Sequence, residues 1–353
     1  KDNLPNIKSG DILLHGHTHV STHTYYGDIL YCNPGSVSIP KDGTKHGYML
    51  LEDNTFIWKD IDGNDIQAHG GCIIEHEGTY YWYGEHKGAD NCPGTTRVDV
   101  IGVSCYSSKN LHDWKYEGLA LESDKNDPES PLYYKKVLER PKVIYNEKNK
   151  NFVLWAHADS ADYVYGGIAV AVSDTPVGPF KLLFAKQPNK QDSRDMTIYK
   201  DRDGVAYLAH SKDWNKTMNL SRLNDDYTDV DGFYVSILID QEREAPAFFW
   251  HEGMYYMISS GCTGWDPNQA LFARCEHFLG KWKLIDNPCR GEKMETTFDG
   301  QSAYIFEVNG DFYLMLDHWH PNDLKTSGYS ILKIDILPDN NLRVNWVDEW
   351  KGI

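Results

Sequence analysis

Five segments of the chain share one design, and that repetition limits the fold more than any other feature. Each starts on polar residues, runs through an apolar strand to a turn, and returns as an aromatic strand. They are "QAHGGCIIEHEGTYYWYGE", "ERPKVIYNEKNKNFVLWAHAD", "SRDMTIYKDRDGVAYLAHSKD", "REAPAFFWHEGMYYMISSGCT" and "DGQSAYIFEVNGDFYLMLDHW". A second hairpin-like run follows each one, such as "IAVAVSDTPVGPFKLLF" or "ALFARCEHFLGKWKLI". Two hairpins supply four strands, so each repeat reads as one four-stranded sheet. Starts near residues 67, 139, 194, 243 and 300 repeat the unit five times, the signature of an all-β, five-bladed β-propeller. A β-sandwich would not explain five equivalent beginnings.

Partners can be narrowed next. A net charge of -17 and the lack of any long basic run argue against nucleic acid and anionic membrane surfaces. No apolar stretch reaches the roughly 20 residues of a membrane span. Tyr (23 residues) and Trp (11) favour strands and also line sugar-binding clefts, so a saccharide partner is expected. Seven scattered cysteines without a CxxC pair read as reduced thiols. "KDNLPNIKSG" has no apolar signal-peptide core, which reads as a cytoplasmic chain; a different natural N-terminus would make it secreted.

Residues 1–55 read differently from 56–353. Short strand-like runs, "DILLHGH", "GDILYCN" and "HGYMLLED", alternate with Gly, Pro and Asn turns. The histidines of "HGHTH" are metal-ligand chemistry by residue type.

In a propeller the innermost strand of each blade lines the central channel, so residues at the start of those strands converge at one mouth. Stepping back nine residues from the hairpin glycines Gly78, Gly253 and Gly310 reaches His69, Glu244 and Gln301. The equivalent starts of the second and third repeats carry Glu139 and Asp195. Three carboxylates facing one pocket repel, which raises at least one carboxyl pKa and suits a general acid near neutral pH. Arg140, Arg194 and Arg243 each neighbour one of the acids and can balance charge or bind hydroxyls. Sugar recognition needs polar groups with an aromatic platform, and the loop candidates are Glu85, Tyr163, Asn215, Thr263 and Trp265.

"QAHGG", "YYWYGE", "ERPKV", "SRDMTIYKD", "REAPA" and "DGQSAYI" together resemble the family 43 glycoside hydrolases, in the branch containing exo-β-1,3-galactanases. The resemblance implies an inverting hydrolase that releases galactose from β-1,3-galactan, the arabinogalactan backbone. It makes Glu244 the general acid and Asp195 the residue that tunes and orients it. The usual Asp base at the start of the first blade is absent, because that blade reads "QAHGG". In the galactanase-like branch the water-activating role is attributed to the match of Gln301, as an imidic acid, with Glu139 nearby. On physical grounds Glu139 is the better base, since an amide is a very poor one. Inversion expects the two carboxyl groups about 6.5–9.5 Å apart. No cofactor is required, although a structural calcium is admitted. The missing first-blade Asp motivates a competing reading as a non-catalytic sugar-binding propeller; arabinofuranosidase or xylosidase specificity is a third.

"DILLHGHTHV" with "NPGSVSIPK" resembles the C-terminal end of small calcineurin-like metallophosphodiesterases, α/β proteins in which His17 and His19 would be metal ligands. A two-metal site needs further ligands and bridging carboxylates, so these histidines are read as the remnant of an incomplete site.

Overall fold

The computed structural model describes residues 12–16, 18–26, 29–36, 39–43, 45–46 and 57–353. The chain divides into two compact units, residues 1–54 and 55–353.

In the first unit Ile12–Leu14 pairs in parallel with Ile29–Asn33, which pairs antiparallel with Thr22–Tyr26. Asn33 is buried and donates to Thr18 Oγ1 at 2.7 Å, closing the loop after the first strand. Two readings fall outside the described residues: the metal-ligand assignment of His17 and nearly all of the "HGYMLLED" run. His19 is described; its Nδ1 lies 2.7 Å from the Ile39 carbonyl.

The second unit is a five-bladed propeller. The innermost strands are His69–His76, Val137–Asn146, Met196–Lys200, Arg243–His251 and Gln301–Val308. Each leads an antiparallel meander, and the five inner strands contact one another in a closed cycle. The fifth blade departs from the four-strand expectation, because Cys289–Arg290 adds in parallel to the outer Leu342–Asn345. Strand-forming chemistry is visible at the hairpins. Glu77-Gly78, Glu252-Gly253 and Asn309-Gly310 all have positive φ at both positions, the two-residue turn whose twist matches that of paired strands.

A blade is buried on both faces, so its neighbours must cover it. Five separate apolar cores fill the five seams. Tyr83 and Leu154 belong to the core between blades 1 and 2, Trp155 and Leu208 to that between 2 and 3, and Met218 and Met257 to that between 3 and 4. Phe249 and Leu314 pack between blades 4 and 5, and Trp82 and Ile331 between 5 and 1. Truncating any such side chain to Ala would cost about 2–5 kcal/mol. The ring is closed noncovalently at the last seam, where Tyr329 donates to the Ile66 carbonyl and Ile353 N to the Asn110 carbonyl, each at 3.0 Å.

Candidate active site

One local device recurs at the mouth. Strand register slips after His69, Glu139 and Glu244, and the next residue is left-handed each time: Gly70 (φ 58), Arg140 (φ 52) and Ala245 (φ 52). Such bulges re-aim a side chain beside a functional site. Glycine is demanded at position 70, where a Cβ would run into the Glu85 carboxylate. Arg140 and Ala245 adopt the same conformation with side chains, against a steric preference of about 1–2 kcal/mol.

The bulges help shape a cavity of about 230 Å³ at one end of the ring. Glu139, Asp195, Glu244 and Gln301 all line it, from four different blades. Arg140 joins them: its guanidinium lies 2.8 Å from Asp195 Oδ2, bonds Gln301 Oε1, and donates to the Ser302 carbonyl at 3.1 Å.

Glu244 is almost fully buried. Its Oε1 accepts from Gln301 Nε2 and its Oε2 from Asn215 Nδ2, both at 3.0 Å. Burial, and then the Asp195 carboxylate, push its carboxyl up to about 8, against Arg140, the Cys262 thiol and Arg243, which favour the ionised form. A protonated acid therefore persists at neutral pH. Glu139 goes the other way. Burial works to raise it, but the Lys87 ammonium at 3.3 Å, the His157 ring at 3.7 Å and the Tyr163 hydroxyl at 2.8 Å hold it well below the usual carboxylate range. His157 is itself held up at about 9: burial alone would lower it, and Asp159 and Glu139 outweigh that.

Gln301 is fully engaged as an amide. Nε2 donates to Glu244 and Ser260, while Oε1 accepts from Arg140 and from Trp319 Nε1 at 3.0 Å.

The remaining sequence candidates divide. Glu85, Tyr163, Asn215 and Trp265 line the cavity. Glu85 is committed to Lys87 at 2.7 Å and to the Arg140 amide at 2.8 Å, and burial raises its carboxyl. Thr263 does not line the cavity; its hydroxyl donates to the Asp266 carbonyl at 2.6 Å and accepts from Asn268 at 2.7 Å, shaping the loop that presents Trp265. His69 is not brought to the cavity either. It is 0% exposed, stacked on Tyr329 at 4.6 Å, with Nδ1 3.4 Å from Asp317. The Tyr329 hydroxyl, 3.0 Å from Nε2, and the Asp317 carboxylate supply the polar partners that keep the ring in the wall.

Sequence reasoning missed Lys87, His157, Ser260, Cys262 and Trp319, and also Arg97, which lines the cavity. A signal existed for two of them. Four of the five repeat starts have a cross-strand partner: Glu85 opposite His69, His157 opposite Glu139, Ser260 opposite Glu244 and Asp317 opposite Gln301. Counting along each hairpin finds these positions. Among the described residues no three His, Cys, Asp or Glu side chains are grouped to hold a metal ion, and no helix is long and apolar enough to cross a membrane.

A five-bladed ring with one raised and one lowered carboxyl in a single pocket is the arrangement of a propeller glycoside hydrolase. The model of glycosyl hydrolases family 43 matches residues 72–331, and the chain belongs to that family. A family 43 β-1,3-galactosidase solved with galactodeoxynojirimycin is 37% identical, with a TM-score of 0.80 over 83% of this chain and 98% of that one. An exo-β-1,3-galactanase from Phanerochaete chrysosporium with β-1,3-galactotriose is 30% identical, with a TM-score of 0.76 over 83% of this chain and 66% of that one. Residues 4–55 match the calcineurin-like phosphoesterase superfamily domain. Over 53 residues, 15% of this chain, they are 43% identical to the phosphodiesterase YfcE of Escherichia coli, and span 29% of that relative's length.

Proposed function

We propose that residues 56–353 form an inverting exo-acting hydrolase that releases galactose from β-1,3-galactan. The carrying observation is the opposite displacement of two carboxyls in one pocket. Glu244 keeps a proton to give the leaving oxygen, and Glu139, ionised throughout the working range, takes one from water. They stand on blades 4 and 2, which are not neighbours in the ring, and both line the same cavity of about 230 Å³, into which an inverting reaction must admit a water as well as the sugar. Asp195 and Arg140 sit between these roles. Asp195 raises the acid, and Arg140 holds Asp195 and Gln301 in place.

Substrate choice rests on the relatives, named as β-1,3-galactosidase and exo-β-1,3-galactanase. Tyr163, Asn215 and Trp265 are assigned to binding, with Glu85 holding Lys87 and the Arg140 backbone. His69 is assigned to the wall behind the pocket. The reaction needs no cofactor, and a structural calcium among the inner strands would have to coexist with the buried Lys142 ammonium, which donates to the Gly70 carbonyl at 2.6 Å. Residues 1–55 are assigned no phosphodiester chemistry.

A non-catalytic sugar-binding propeller is the second reading, favoured by the absence of any carboxylate at the first blade's start. Incubation with β-1,3-galactan, aryl β-xylosides and aryl α-arabinofuranosides separates the two. Galactose released from the galactan alone supports hydrolysis; saccharide binding without release supports the second reading.

A further inference from the structure

Trp214 is among the most exposed large apolar side chains among the described residues, at 63%, and it lies outside the cavity's lining. Its position is nevertheless tightly built. Asp213, Trp214 and Asn215 are three consecutive left-handed residues, φ 53, 56 and 64, none of them glycine. L-residues resist that conformation, so something must impose it. The Asp192 carboxylate accepts from the amides of Asp213 at 2.9 Å and Trp214 at 3.2 Å. Ser211 Oγ donates to Asn215 Oδ1 at 2.8 Å, which leaves Asn215 Nδ2 for Glu244. A single strained loop thus delivers a partner to the acid and turns an indole outward.

The indole is also fixed from one side. The Arg194 guanidinium lies 4.0 Å from its ring centroid, and Arg194 is held by Asp159 at 3.3 Å and the Tyr163 carbonyl at 2.7 Å. A cation stacked on one face holds the ring flat while much of its surface stays open to solvent.

Position then assigns the ligand. A general acid meets the oxygen of the leaving group, so the next sugar of the chain lies on the acid's side of the bond. Trp214 is adjacent in sequence to the residue that touches Glu244 Oε2. We infer that Trp214 is the platform for the sugar on the leaving-group side, a hexopyranose packing its apolar face on the indole; this rests on the glycosidase reading above. Trp265, which lines the cavity edge-on to Trp319 at 5.2 Å, serves the sugar inside.

The test compares the full chain with Trp214→Ala and Trp214→Phe on two substrates, β-1,3-galactobiose and β-galactosyl fluoride, whose leaving group carries no sugar. For Trp214→Ala, kcat/KM on the galactobiose should fall about tenfold more than on the fluoride, with Trp214→Phe recovering most of the difference. Equal losses on both substrates would overturn the assignment, because the residue would then act through Arg194 or Asn215. No loss on either would overturn it too. Wild-type protein inactive on both substrates would instead sink the glycosidase reading, and this assignment with it.

Discussion

The Gln301 amide donates to the Glu244 carboxyl across 3.0 Å, tying the inner strands of the fifth and fourth blades together at the pocket. Both atoms of that amide are spoken for, and so is each oxygen of the glutamate. Glu244 is therefore aimed, not merely present.

Glu244→Gln should lower hydrolysis of β-1,3-galactobiose by about 10²–10⁴-fold, the range for removing a general acid. A dinitrophenyl β-galactoside, whose leaving group needs no proton, should lose far less. Steady-state rates on the two substrates check this. Equal losses would mean that Glu244 binds or positions and does not protonate.

The pH dependence follows from the sign of the shift. Glu244 acts protonated and is held up at about 8, so kcat/KM should fall as pH rises through about 8. The groups facing it are Asp195, Arg140, Arg243 and the Cys262 thiol. The thiol favours the carboxylate, so Cys262→Ala should move that alkaline limb to higher pH. Stability carries the same signature. The native state keeps a proton that the unfolded chain releases from its ordinary value of 4.5 upward, so folding stability drains between about pH 4.5 and 8. Glu244→Gln removes that slope, and its Tm relative to wild type should climb across the window. A constant difference in Tm would contradict the raised carboxyl.

Two substitutions separate the candidate bases. Glu139→Gln should cost kcat about 10²-fold or more, with partial rescue by azide, which needs no deprotonation. Gln301→Glu should not serve as a replacement. It sets a second carboxylate against Glu244 and breaks the donation to Ser260. Near-normal kcat in Glu139→Gln, with substantial activity in Gln301→Glu, would transfer the role to Gln301.

The bulge at Ala245 offers a backbone test. Glycine accepts φ 52 freely, so Ala245→Gly should keep activity and fold stability close to wild type. Valine, β-branched and forced left-handed in a buried position, should lose about 2 kcal/mol or more and misdirect Glu244. Thermal unfolding together with kcat reads both effects. A harmless Ala245→Val would show that the bulge does not aim the acid.

Much of this was legible because a propeller writes its period into the chain. Hairpin glycines with a fixed offset locate Glu244 and Gln301 from sequence, and the repeat starts add Glu139 and Asp195. What the period hides is orientation. His69 occupies the same repeat position as Glu139 and Glu244, yet it folds behind the pocket onto Tyr329 and Asp317. The charge balance was hidden for a related reason. Lys87 comes from a loop after the first hairpin and is buried between Glu85 and Glu139, so no repeat position announces it. Trp319 follows the last strand residue of the fifth hairpin, where an aromatic is ordinary strand-end chemistry, and only the folded hairpin brings its Nε1 to the Gln301 Oε1 at 3.0 Å.

The anomeric form of the first galactose released by wild-type protein tests the central claim most directly. Proton NMR during early turnover of β-1,3-galactan should show α-galactose appearing first, with β-galactose growing only as the two forms equilibrate. That is inversion, with Glu244 protonating one side of the bond and water activated by Glu139 attacking from the other. β-Galactose appearing first would contradict the account, since retention requires a carboxylate to act as nucleophile.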